Sequence, residues 1–261
     1  MAGVIAKKRM CGMLYIVVSI IIFLVSFVFA MLGLGGGMIY VPVLKWAGFS
    51  LKEVAIPLGL LLNGLNTLFA LIPYTKKKLV DWKGGLAMAI AALIFAPIGA
   101  YTSKYVTEKP LMILFAIAVA AAAARTLWAS TQAEPEELMP SKKRSVIGVG
   151  VGAFAGFAGG LLGIGGGFII APILMWMGYK TKVAAATTAF VVTFSSFTGY
   201  LGHAAEGKMN WPLTIMVVVA VIIASQLGAM FMSSKAKPKW IKQLYGIVLI
   251  LVAVKLIWGV L

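Results

Sequence analysis

Titratable and metal-binding side chains are scarce in this chain of 261 residues, which has one cysteine, one histidine and seven aspartates and glutamates. A lone Cys11 closes no internal disulfide, and His203 with so few carboxylates is a poor inventory for a metal site or for acid–base catalysis. No nucleophile–base pair or ligand cluster is visible, so an enzyme is not expected and neither is a cofactor. Charge is thin as well: charged residues make up 11% of the chain and hydrophobic ones 62%, with a mean hydropathy of +1.02. Soluble domains are about half apolar and about a quarter charged, and a fold in water could not cover this much apolar surface.

Long apolar runs are what the chain has instead. Stretches long enough for a membrane helix fall around 12–32, 54–72, 84–102, 111–129, 146–163, 184–202, 212–232 and 241–260. The class that follows is an all-α integral membrane protein with the lipid bilayer as its partner. The net charge of +16 does not signal nucleic acid, because Lys and Arg sit in short clusters between apolar runs, as orientation signals do. The first run follows Lys7-Lys8-Arg9 and imitates a signal peptide. At about 20 residues it is longer than a usual signal core, and the glycine motif that ends it recurs inside a later run, so it reads as a true membrane element.

That recurrence is part of a duplication. A shift of about 130 residues lays LGLGGGMIYVPVL (Leu32 to Leu44) on LGIGGGFIIAPIL (Leu162 to Leu174), Trp46 on Trp176 and Gly48 on Gly178. With a one-residue slip, Asp81-Trp82 falls on Asn210-Trp211 and Gly99 on Gly228, while Arg125 and Trp128 lie on Lys255 and Trp258. The expected organisation is an N-terminal repeat of four hydrophobic segments over 1–130, a charged linker over 131–144 and a C-terminal repeat of four segments over 145–261.

Loop charge suggests how the copies are oriented. Lys76, Lys77 and Lys78 follow the second segment, and Lys235, Lys237, Lys239 and Lys242 follow the seventh. The positive-inside rule puts both loops in the cytoplasm, and an odd number of segments lies between them, so one segment must not cross. Residues 145–178 are too many for one crossing and too few for two. The first and fifth segments are therefore expected to be broken or re-entrant at GxGGG, which makes the two four-segment repeats inverted.

Glycine permits φ > 0 and close backbone approach. Unwound backbone at membrane depth survives only inside protein or beside a polar cavity. Gly35, Gly36 and Gly37, with Gly165, Gly166 and Gly167, each precede a short helix, over 38–47 and 168–177, whose first N–H groups carry the positive end of the dipole. Two such ends converging would bind an anion, while tight helix packing is the plainer use of the same glycines. Asn63, Asn66 and Thr67 in the second segment, and Thr193, Ser195 and Ser196 in the sixth, are candidate donors to that anion or plain interhelical hydrogen bonds. Thr187 and Thr188 are weaker candidates, since Pro57 and Leu58 replace them in the first copy. Arg125 and Lys255 either snorkel beside a Trp or attract anions into a vestibule. His203 either titrates in a transport cycle or has a structural role at a loop edge.

The doubled GxGGGxxxxPxL pattern, the Ala-rich turn into the next segment and Asp81-Trp82 resemble the TauE/SafE sulfite exporter family over both halves, with Asn210-Trp211 departing from the aspartate–tryptophan pattern in the second. The resemblance implies movement of small sulfur-containing anions such as sulfite, sulfonates or sulfoacetate across the cytoplasmic (inner) membrane. The expectation is a multi-pass secondary transporter, an exporter or facilitator with a small anionic substrate, held by the glycine backbone and the Asn, Thr and Ser residues above. An anion channel of the same architecture and a non-transporting scaffold are the alternatives, and a homodimer is a fair assembly for a symmetric carrier.

Overall fold

In the computed structural model, described residues are 2–103, 137–204 and 209–258, with Tyr105, Ala120, Ala123, Ala124, Leu127, Trp128 and Glu134. All regular structure among them is helical. Helix α1 runs Ala2–Leu32, α2 Gly37–Trp46, and a π turn Leu51–Ala55 leads into α3 Ile56–Lys76; α4 is Trp82–Thr102. Then come α5 Ser141–Leu162, α6 Gly167–Trp176, α7 Thr181–Ala204, α8 Trp211–Ser234 and α9 Pro238–Trp258. Among the described residues, six stretches are long and apolar enough to cross a bilayer: Gly12–Leu32, Leu51–Lys76, Trp82–Thr102, Ser141–Leu162, Thr181–His203 and Trp211–Ser234, with Gly167–Trp176 a shorter apolar helix. The protein is thus an all-helical, multi-pass membrane protein. Most of the segment expected at 111–129, with Arg125, lies outside the described residues.

Local chemistry sets the helix ends. Asp81 Oδ1 accepts from Gly84 N–H at 2.9 Å and Asn210 Oδ1 from Leu213 N–H at 3.3 Å, so each caps the helix that a Trp opens. Gly48 and Gly178 take φ of +88° and +92° past the ends of α2 and α6. There Phe49 N–H bonds Leu44 O and Tyr179 N–H bonds Leu174 O, each closing the last turn. Lys78 holds the same left-handed place after α3, at φ +55°.

Side-chain pairs fix the helix directions. Asn66 meets Ser26 and Tyr74 meets Ala30, so α1 and α3 run parallel. Tyr15 meets Asn210 and Phe27 packs on Phe231, which adds α8 to that set. Asn63 meets Ser196 while Thr67 meets Thr193, so α3 and α7 are antiparallel. Helix α4 runs with α7, since Asp81 meets Thr187 and a methyl group at Gly202 would touch Ala100. It runs with α5 as well, as contacts of Gly152 with Met88 and Gly160 with Ala96 show.

Each long helix before a glycine break is followed by a short helix that returns the chain to where it began. Tyr15 and Phe49 have ring centroids 6.4 Å apart, and Arg144 Nη1 donates to Tyr179 OH at 2.9 Å. The stretch too long for one crossing is therefore a 22-residue arm and a 10-residue arm. The long arms, Gly12–Leu32 and Ser141–Leu162, can each span the hydrocarbon by length, and the break expected at GxGGG lies at their ends.

Helices α3 and α7 form the centre, with 61% and 72% of their spans buried against 33% to 44% for the other four. Leu86, Ile90, Ile94 and Ile98 on α4, with Ile215, Val219 and Ile223 on α8, are left exposed toward lipid. Gly152, Gly156 and Gly160 let α5 press against the backbone of Met88, Ala92 and Ala96. This stripe at four-residue spacing is the tight packing device of the fold, and it was legible in the small-xxx-small pattern that the sequence reading passed over. Basic residues around Lys77, Lys83, Lys143, Lys182, Lys235 and Lys242 gather where α3 and α8 end and α4, α5 and α7 begin.

Candidate functional site

The two glycine breaks press against each other. Gly33, Gly35, Gly163, Gly165 and Gly166 have φ between +67° and +76°, a region where a side chain is strained, whereas Gly36 has φ −113°. A methyl group at Gly37 would lie 3.1 Å from Ile164 Cα, and one at Gly167 would lie 3.0 Å from Leu34 Cα. The starts of α2 and α6 are thus neighbours, as the duplicated motif led one to expect.

Asn63, wholly buried at the middle of its span, joins the two breaks. Its Oδ1 accepts from Gly37 N–H at 2.6 Å, and its Nδ2 donates to Ser196 Oγ at 2.7 Å. A methyl group at Gly35 or at Gly165 would run into its amide. Ser195 Oγ donates to Gly165 O at 2.9 Å. Thr67 donates to the Asn63 and Gly64 carbonyls, both at 3.1 Å, and Thr193 Oγ1 donates to Thr67 Oγ1 at 2.9 Å with Ala189 O 2.8 Å away as its alternative. Four of the six expected polar residues therefore sit in one network, Ser195 ties down the second break, and the first free amide of α2 is already capped by Asn63.

Asn66 belongs to an adjoining group that includes two residues missed in the sequence. Its Nδ2 donates to Ser26 O at 3.1 Å and to Tyr40 OH at 2.7 Å, and Ser26 Oγ lies 2.6 Å from Tyr40 OH. The Ser26 carbonyl can only accept, so the amide orientation is set, and Asn66 Oδ1 is left buried without a partner among the described residues. Ser26 and Tyr40 carried no signal because the repeat puts Gly156 and Ile170 opposite them. Ser196, having accepted from Asn63, has no acceptor for its own proton among the described residues.

The other candidates fall away from this centre. Thr187 Oγ1 accepts from Asp81 N–H at 3.0 Å, and Thr188 Oγ1 is buried with no partner among the described residues. His203 sets its Nε2 3.1 Å from Gly160 O, a bond between helices. Lys255 falls within α9 and its side chain lies outside the described residues, as Arg125 does altogether. Among the buried residues described, Lys242 is the only charged one, and it pairs with Glu134 at 3.5 Å at the basic end. The centre thus offers hydroxyls, amides and helix ends, with no formal charge among them.

A second constellation stands at the basic end. Asp81 Oδ2 accepts from Tyr179 OH at 2.8 Å and lies 3.4 Å from Arg144 Nη1, whose bond to Tyr179 completes a triangle. Burial, with Asp81 alongside, pushes the Tyr179 hydroxyl up to about 12, so it stays a donor at neutral pH. Arg144, read from sequence as linker, lies in the first turn of α5.

The sulfite exporter TauE/SafE family matches residues 18–256. The chain is 29% identical to the probable membrane transporter protein YunE of Bacillus subtilis (strain 168), covering 94% of this chain and 98% of that protein. It is 23% identical to a probable membrane transporter protein of Methanocaldococcus jannaschii over 84% and 86% of the two. A shorter stretch, 30% of this chain, is 40% identical to sulfite exporter TauE/SafE family protein 6 of Arabidopsis thaliana, of which it covers 18%. No solved structure matches. Paired glycine breaks at the centre of a multi-pass helical protein, and a family match across nearly its whole length, lead to one assignment: this chain belongs to the sulfite exporter TauE/SafE family of membrane transporters, not of enzymes.

Proposed function

We propose that the protein is a secondary carrier of small sulfur-containing anions such as sulfite, sulfonate or sulfoacetate, working across the cytoplasmic membrane as an exporter or facilitator. The observation that carries this reading is the meeting of the two breaks at Asn63. The positive ends of two helix dipoles and the Ser196 hydroxyl lie close together, with no charged side chain beside them among the described residues, and a small anion is the complementary guest. The family description supports sulfur oxyanions as its class.

The carrier architecture is two inverted repeats, 1–130 and 145–261, joined by the linker 131–144. Its support is directional: α1 and α3 run one way with α4 opposed, while α5 and α7 run the other way with α8 opposed. Substrate is held by Gly35 to Gly37, Gly165 to Gly167, Asn63, Asn66, Thr67, Thr193, Ser195 and Ser196, and rocking of the halves alternates access. Burial of these side chains favours a carrier over an open channel. The basic end faces the cytoplasm by the positive-inside rule, and a homodimer is the proposed assembly.

Purified protein in liposomes tests the reading against sulfite, sulfonate, thiosulfate and sulfate. Saturable flux with counterflow is expected. Linear flux without counterflow makes the protein a channel, and no flux of any of the four makes it a scaffold.

A further inference from the structure

The basic-end triangle has a counterpart at the other end of the molecule, and the two differ in charge. The repeat register puts Asn210 opposite Asp81, and Phe49 opposite Tyr179. At the far end Asn210 Nδ2 donates to Tyr15 OH at 2.9 Å, and Tyr15 packs on Phe49. That contact joins the halves through an amide where the basic end has a carboxylate. At the basic end the same join is made by a carboxylate, a guanidinium and a phenol, with Thr187 accepting from the Asp81 backbone.

The Asp81 carboxylate is itself a small oxyanion in a nest of donors, namely Tyr179 OH, Arg144 Nη1 and Gly84 N–H. The guanidinium is not saturated by it: Nη1 makes both bonds, and Nε is buried without a partner among the described residues. Arg144 Cζ also lies over the Tyr179 ring, 5.5 Å from the centroid, a cation–π contact. A planar fork with an unused N–H matches a second oxyanion of sulfonate or sulfite shape.

We propose that Arg144 and Tyr179 form an anion-binding site at the basic end, filled in this state by the Asp81 carboxylate, and that a small sulfur oxyanion arriving there displaces the carboxylate and unlocks that end. The inference rests on the anion-carrier reading and adds to it where the anion is first received. It also sets the basic end apart, as the one that opens on substrate arrival.

The test uses the full chain with Cys11→Ser and Thr187→Cys, a buried position touching the triangle. Membrane-impermeant maleimide is applied from whichever face labels Ser141→Cys. Asp81→Asn should speed labelling about tenfold, as expected for loss of one charge-assisted tie. The variant should fold, because Asn210 caps α8 with the same side chain. Sulfoacetate, a sulfonate that does not react with maleimide, should speed labelling of the Asp81 parent when compared with chloride at equal ionic strength, and leave Arg144→Gln, already fast, unchanged. An unaltered rate in Asp81→Asn would overturn the lock, and a parent indifferent to sulfoacetate, or an Arg144→Gln protein that still responds, would overturn the anion site. Failure of the carrier reading shows separately, as absent liposome flux with the labelling response intact.

Discussion

At the residue scale, Asn63 and Ser196 separate packing from binding. Asn63→Leu strands Gly37 N–H and Ser196 in the buried centre, which should destabilise the protein by about 1–3 kcal/mol, read as an earlier unfolding midpoint in detergent. Ser196→Ala takes away the acceptor of the buried Asn63 Nδ2, so its unfolding midpoint should fall too, by about 1 kcal/mol. The half-saturating sulfite concentration should rise about tenfold, the worth of one hydrogen bond to a charged ligand; an unchanged value would show that Ser196 is only a strut. The glycines divide in the same manner. Gly35→Ala meets both a positive φ and the Asn63 amide, while Gly48→Ala meets positive φ alone, with open space around it. The second should cost about 1 kcal/mol and the first clearly more, compared in parallel unfolding curves. The polar type and spacing of Asn63 and Ser196 were readable in the chain. Their bond to each other was not, because 133 residues separate them and nothing local encodes antiparallel contact of α3 with α7.

Among the elements, the turn after α3 and the face between α4 and α5 are the most exposed to a single change. Lys78 sits left-handed at φ +55° where the ends of α2 and α6 use glycine. Lys78→Gly should stabilise the protein by about 1 kcal/mol, measured as a later thermal midpoint in detergent, since the strain of a Cβ in that region disappears. Gly156 approaches the Ala92 backbone so closely that no side chain fits. Gly156→Leu should therefore yield little monodisperse protein by fluorescence-detected size exclusion; a normal peak would mean that the α4–α5 seam contributes little to the fold. Helix limits were largely legible, because apolar length, Asp81, Asn210 and the glycines are local signals. The extent of the long arms was not, since a run ending in glycine reads alike whether the helix before it spans the bilayer or stops halfway.

For the whole molecule, the side to which the basic end belongs is the accessible question. In a Cys11→Ser background, Ser141→Cys at the basic end should label with impermeant maleimide only in inside-out vesicles, and Ser50→Cys only in right-side-out ones; both residues are exposed. Reversal of that pattern would invert the direction assigned to the charged lock. Hydrophobic length, recurrence of a motif and backbone freedom are properties of short stretches, so the membrane class, the recurring glycine motif and the breaks it makes were legible in the chain. Contact between the two breaks, the Asn63 cap on one of them and the closure of Asp81 on Arg144 and Tyr179 came only from the fold. Those contacts depend on how the two halves pack, which no local pattern specifies: a helix face binds whatever the rest of the chain brings to it.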